Sequence, residues 1–171
     1  DEEKGYLDLL MSHPTSRTAL FLGRLISIIL QILTIILFGW VGLLIGVFRS
    51  ESLDFTGEQL IIPYFSVFGI TIFFTSFALF ISLVFPSRSS AAMTTGIMVI
   101  AGFIITTLSA AIPDLKTIAM FSPITYFQAN AMNGLNLIPF FCLIILSLIL
   151  IVLAWVKFRL RDLRIIGEKG W

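Results

Sequence analysis

The chain has 171 residues, 58% of them hydrophobic and 12% charged, and its mean hydropathy is +1.04; a typical soluble domain carries roughly 25% charged residues. That balance excludes an ordinary soluble domain and defines an integral membrane protein, while a net charge of +1 argues against nucleic acid as a partner. The single cysteine, Cys142, lies in an apolar run, cannot form an intramolecular disulfide and reads as a small core residue.

The first segment, DEEKGYLDLLMSHPTSRTALFLGR from Asp1 to Arg24, is the one sizeable amphipathic stretch. Leu7, Leu10 and Met11 recur at helical spacing, Tyr6 and Leu9 widen the apolar stripe, and Asp1, Glu2, Lys4 and Asp8 fall elsewhere; the pattern predicts a short helix with a wet face. It is expected to stop near His13, because the residue before a proline is pushed out of helical conformation. Pro14 is placed to start the next helix, with Ser12, Thr15 and Ser16 as hydroxyl caps. Helix and turn together occupy 1–18. Asp1, Glu2, Glu3 and Asp8 against Lys4 give the helix a charge of −3. That sign argues against a helix resting on the anionic cytoplasmic leaflet and for one that meets a soluble partner.

Leu25 to Phe48 follows, 24 residues without a charge, which at 1.5 Å per residue is about 36 Å, enough to cross a hydrocarbon core of about 30 Å with some tilt. The first span is therefore expected over 19–48. Ser27, Gln31 and Thr34 continue the line of Arg24 at helical spacing, a polar stripe that should face protein or water. Gly39, Gly42 and Gly46 thin the far end, and Gly42 with Gly46 has the GxxxG spacing that permits close helix contact.

After a polar loop from Arg49 to Gln59, Ile61 to Phe85 gives a second span over 60–85, with Pro63 expected in its first turn, where a missing amide costs least. Thr71, Thr75 and Ser82 share a face with Ala78. Pro86 to Ser90 is short enough only for a tight turn between antiparallel helices, and a third span follows over 90–112. That span is rich in small and hydroxyl residues, and Gly102, Thr106 and Ser109 align on one face, as in a helix packed among others. Residues 113–136 are interrupted too often by proline, asparagine and charge for a span. Short interfacial or re-entrant helices over the bundle mouth are expected there, with Tyr126 as an interface anchor. The fourth span, over 137–157, has Ser147 as its only polar side chain besides Cys142 up to Val156, and a basic tail over 158–171 ends the chain.

If the N-terminal helix and the tail share a side, nine of the eleven Lys and Arg residues lie on it, and the other side holds Arg49 and Lys116. The positive-inside bias then places both ends in the cytoplasm, in agreement with an even number of spans. The chain opens on Asp1 without an initiator methionine or a signal-like leader, and an upstream part is expected.

Catalytic groups are scarce. His13 is the sole histidine, which excludes paired-histidine metal sites and argues against a Ser-His hydrolase; no GxxxxGK[ST] phosphate loop occurs; and beyond Arg24 at a helix end the spans carry no ionisable group of the kind a proton-coupled pump places in mid-membrane. An intramembrane lipid enzyme lacks the side chains it would need.

The stretch from Asp1 to Arg24 resembles the cytoplasmic signature of ABC transporter permeases of the type-2 export class. In that signature an acidic stretch, Gly with a Thr- or Tyr-like residue and Leu, a Leu-Leu pair, Pro-x-Ser-Arg and Gly-Lys or Gly-Arg lead into a span. Glu3, Gly5, Leu7, Leu9, Leu10, Pro14, Ser16, Arg17, Gly23 and Arg24 fall on the pattern. The turn at Pro86 to Arg88, the segment FSPITYFQANAMNGLN from Phe121 to Asn136, and the tail FRLRDLRI are similar to later parts of such permeases.

The resemblance implies an all-α transmembrane bundle of six spans, of which this chain holds the third to sixth, with a coupling helix before them and short outer helices before the last. It also implies docking on a dimer of separate ABC ATPase subunits, which would hold ATP and Mg while this chain binds no cofactor or metal. A second permease copy or homologous half would pair with it in the lipid of the plasma membrane. Glu2, Glu3, Gly5, Tyr6, Leu7, Leu9, Leu10, Pro14 and Arg17 are then expected at the ATPase contact. Ser27, Gln31, Thr34, Thr106 and Ser109 would line a path or permease interface, or bond between helices, and Pro123, Tyr126, Asn130 and Gly134 would form an outer gate. The competing expectation is a non-transporting membrane scaffold that recruits a cytoplasmic partner through the same N-terminal surface.

Overall fold

Among residues 16–50, 57–85, 87–127 and 137–160, which the computed structural model describes, every regular element is helical. Five α-helices follow one another: α1 (Arg17–Arg49), α2 (Gly57–Val84), α3 (Arg88–Ser109), α4 (Lys116–Ala119) and α5 (Leu137–Leu160), with 3-10 turns at Pro113–Leu115 and Pro123–Tyr126. All but α4 are long and apolar enough to cross a bilayer. The chain is thus an all-α, multi-pass membrane protein, as its composition requires. The amphipathic segment at 1–15 lies outside the described residues.

The helix ends follow local chemistry. Ser16 stands in extended conformation before α1 and its hydroxyl accepts the Ala19 N–H at 3.2 Å. Ser87 does the same for α3, accepting the Ser90 N–H at 3.1 Å, and so closes the tight turn after α2. Helix α3 stops at Ser109, three residues short of the apolar run, because Ile112 precedes Pro113 and is held extended at φ −117° and ψ 106°. At the start of α2 the expectation is corrected. The polar residues Gly57 to Gln59 join the helix, so Pro63 sits inside it rather than in its first turn.

Helix α2 is the hub. It packs on α1, α3 and, most extensively, α5, and α1 also meets α5. A Cβ on Gly69 would lie 3.1 Å from the Phe140 ring, so the first halves of α2 and α5 are adjacent and the two run parallel. Phe21, early in α1, meets Phe158, late in α5, with ring centroids 5.7 Å apart, so those two run antiparallel. Buried Ser66, Gly69, Phe73 and Ser76 recur along α2 at coiled-coil spacing. On α5 the buried residues are Leu143, Ser147 and Ala154. Small side chains let helices approach in a bilayer, where water offers no hydrophobic drive. Two of the buried hydroxyls are bonded to the turn before them, Ser76 to the Ile72 carbonyl and Ser147 to the Leu143 carbonyl, each at 2.7 Å. The hydroxyls buried on α2 are Ser66 and Ser76, while Thr71 and Thr75 are half-buried and Ser82 is exposed. Large apolar residues such as Phe38, Phe48 and Ile138 lie on the outside, and so does Cys142, against the expectation of a core residue.

Candidate functional site

The most elaborate polar arrangement among the described residues joins α3 to the short helices that follow it. Residues 110–127 fold back as a cap over the end of α3 that lies beside the start of α2 and α5. Pro113 and Pro123 open the two 3-10 turns, each fixing a backbone angle and giving up an amide that has no helical partner there. Ser122 precedes Pro123, is held extended at φ −83° and ψ 123°, and is buried.

A chain of hydroxyls crosses this contact. Ser122 donates to the Gly102 carbonyl at 3.1 Å, Thr125 donates to the Ala119 carbonyl at 2.6 Å, and Thr106 donates to Ser122 at 3.0 Å with the Thr125 hydroxyl equally close. Thr94, Thr95 and Thr107 on the same helix bond back to carbonyls four residues earlier. Thr106 instead points away from its own helix. Gly102 makes room for this, since a Cβ there would meet the Ser122 oxygen at 3.0 Å. Tyr126 closes the cap on itself by donating to the Met120 carbonyl at 2.8 Å. The arrangement holds two backbone segments together. Among the described residues no three His, Cys, Asp or Glu side chains converge as a metal site.

The other residues singled out from the sequence fall as follows. Thr106 belongs to the clasp, while Ser109 bonds the Thr106 carbonyl of its own helix at 2.7 Å and makes no link to the cap. Pro123 is buried and Tyr126 stands at the cap surface; Asn130 and Gly134 lie outside the described residues. Ser27, Gln31 and Thr34 are brought together on the exposed side of α1, away from its contacts with α2 and α5. Ser27 and Thr34 donate to the Gly23 and Leu30 carbonyls at 2.8 and 2.7 Å. Glu2, Glu3, Gly5, Tyr6, Leu7, Leu9, Leu10 and Pro14 lie outside the described residues, and Arg17 is the first residue of α1. Gly39 touches Tyr64, whose hydroxyl donates to the Gly39 carbonyl at 2.9 Å, whereas Gly42 and Gly46 face open space. The GxxxG pair packs no helix among the described residues. Ser122 and Thr125 were missed by spacing rules, and the available signal was Ser122's position before a proline.

Fold and clasp together define a multi-pass helical membrane protein whose third span is pinned to a compact cap. The chain belongs to the family described as "Protein of unknown function (DUF2705)", whose profile matches residues 1–164. No curated protein and no solved structure matches it.

Proposed function

We propose that this chain is the membrane-spanning subunit of an ATP-driven exporter of the ABC type-2 kind. In this reading residues 1–15 dock on a cytoplasmic ATPase dimer and pass its closure into the bundle. The observation that carries the reading is the junction at Ser16. The sequence resembling a coupling signature runs into a capped helix start, and that helix continues from Arg17 to Arg49 without a break. A push delivered at Leu7, Leu9 and Leu10 would enter the bundle through this one unbroken helix. Gly23 and Arg24, the end of the signature, are already inside α1. Supporting the same reading, the charged residues of the described long helices, Arg17, Arg24, Arg49, Glu58, Arg88, Lys157 and Arg159, lie at or near helix ends, so the described residues place no ionisable group in mid-membrane where a proton relay would need one. The positive-inside bias puts the Arg17 end of α1 and the Leu160 end of α5 on the cytoplasmic face of the plasma membrane and the cap outside.

The test is co-reconstitution of the full protein with its ATPase in liposomes. Leu9→Asp with Leu10→Asp should leave membrane insertion intact while transport no longer follows ATP hydrolysis. Undiminished coupling would sink the reading. A partner that binds the N-terminal segment without any transport would identify a scaffold instead.

A further inference from the structure

We infer that the crossing between the Arg17 end of α1 and the Leu160 end of α5 is a binding surface for anionic phospholipid, with Arg24, Lys157 and Arg159 as the groups that take the headgroup phosphate. The placement starts from two aromatic rings. Phe21, buried in α1, meets Phe158 of α5 with centroids 5.7 Å apart, so cations close to either ring in sequence are brought to one crossing. Arg24 stands three residues further into the membrane than Phe21, about 4.5 Å along the helix axis. Lys157 and Arg159 immediately precede and follow Phe158, each about 1.5 Å from its level. All three cations are exposed. Arg159 carries its guanidinium over the half-buried Trp155 ring, 5.8 Å from the centroid, which holds it at the interfacial depth that tryptophan prefers.

Depth and sign select the occupant. From Arg24 to Arg159 the cations cover about 6 Å of the membrane normal, which matches one headgroup layer of about 5–8 Å. Leu25 to Phe48 carries no charge, so Arg24 marks the edge of the hydrocarbon. The two acidic residues among the described ones, Glu58 at the start of α2 and Asp114 in the cap, belong to the opposite end. The charge that the described residues gather at this crossing is therefore of one sign. A phosphodiester lying against it offsets the mutual repulsion of the cations, and arginine presents a planar fork that pairs two phosphate oxygens at once. A zwitterionic lipid brings its phosphate together with an ammonium of its own and is the poorer complement. The acidic segment at 1–15 shares the sign of a phosphate, but it precedes Ser16, and Arg24 lies about 10 Å further along α1 than Arg17, toward the hydrocarbon. Lipid headgroups are already at that depth.

The surface needs neither ATP nor transport; from the exporter reading it takes only the orientation, which makes the leaflet the inner one. To test it, the full chain in detergent is offered an equimolar mixture of phosphatidylglycerol and phosphatidylcholine with the same acyl chains, and retained lipid is counted by native mass spectrometry. The native chain is expected to retain phosphatidylglycerol preferentially. Arg24→Gln, Lys157→Gln and Arg159→Gln should each cut that preference about fivefold, the contribution of one cation at an anionic surface, and the triple change should abolish it. Arg24→Lys with Arg159→Lys should keep most of it. Arg88→Gln removes an equal charge from the start of α3, away from the crossing, and should leave the preference unchanged. Equal retention of the two lipids by the native chain, an equal loss with Arg88→Gln, or displacement of the lipid by millimolar glycerol 3-phosphate would each overturn the assignment. So would phosphatidylglycerol binding that arises only after Glu2→Gln, Glu3→Gln and Asp8→Asn, since the cations would then hold the acidic segment instead. None of these results bears on coupling to an ATPase, so the lipid surface and the exporter reading stand or fall separately.

Discussion

Gly102→Ala should destabilise the protein, and the same change should turn neutral or favourable once Ser122 has lost its hydroxyl. The added methyl would lie 3.0 Å from the Ser122 oxygen. That oxygen cannot step aside freely, because it donates to the Gly102 carbonyl at 3.1 Å and accepts from Thr106 at 3.0 Å. Displacing it puts two hydrogen bonds at risk, each worth about 0.5–1.5 kcal/mol net. Against this, alanine gains up to about 1 kcal/mol over glycine inside a helix. The balance in the native background is a loss of up to about 2 kcal/mol. In a Ser122→Ala background the next neighbours are Ile124 at 3.6 Å and the Ser122 Cβ at 3.9 Å, ordinary contacts, so only the gain survives. A double-mutant cycle read by thermal unfolding in detergent therefore shows a coupling of about 1–3 kcal/mol and a change of sign. Gly96→Ala, where nothing lies within 4 Å, serves as the control for the helix term. Gly102→Ala effects that agree within about 0.3 kcal/mol in the two backgrounds would refute the clasp as the link between α3 and the cap.

Gly69→Leu should separate α2 from α5, since even its Cβ would stand 3.1 and 3.2 Å from the Phe140 ring; a cost of about 1–3 kcal/mol would be seen as a lowered unfolding midpoint, partly restored by adding Phe140→Ala. Tyr64→Phe removes the 2.9 Å bond to the Gly39 carbonyl and should cost about 0.5–1.5 kcal/mol in the same assay, with the ring contact to Gly39 kept. Gly46→Ala faces open space and should raise stability by up to about 1 kcal/mol, the helix gain alone, in the same assay.

The spans were legible because charge-free runs of this length have one physical solution in a bilayer, and α1 and α3 start within two residues of the expected positions. Which span touches which was not legible. Helix α5 is apolar on nearly all sides and the hydroxyls of α2 fall on more than one face, so no single stripe marks the face they share, where Gly69 meets the Phe140 ring. Gly102 and Thr106 stood out in the sequence as an aligned pair, but their partner did not, because Ser122 lies in an irregular segment where neither helical nor strand spacing applies. Threonine in a helix ordinarily bonds its own backbone, so the outward turn of Thr106 shows only once the cap is in place. The Ser27, Gln31 and Thr34 stripe was visible as a stripe, and the fold adds that it faces outward.

The parallel neighbours α2 and α5 are separated in the chain by the whole of α3 and the cap. From Phe85 to Leu160 a ribosome must add 76 residues, which at 5–20 residues per second takes about 4–15 s. Throughout that interval the nascent α2 waits in the bilayer with Ser66 and Ser76 turned toward lipid or toward whatever insertion machinery shields them. Assembly of the hub thus waits for α5, and a transcript cut short before α5 yields spans that are inserted but unmatched, the kind of product that membrane quality control removes.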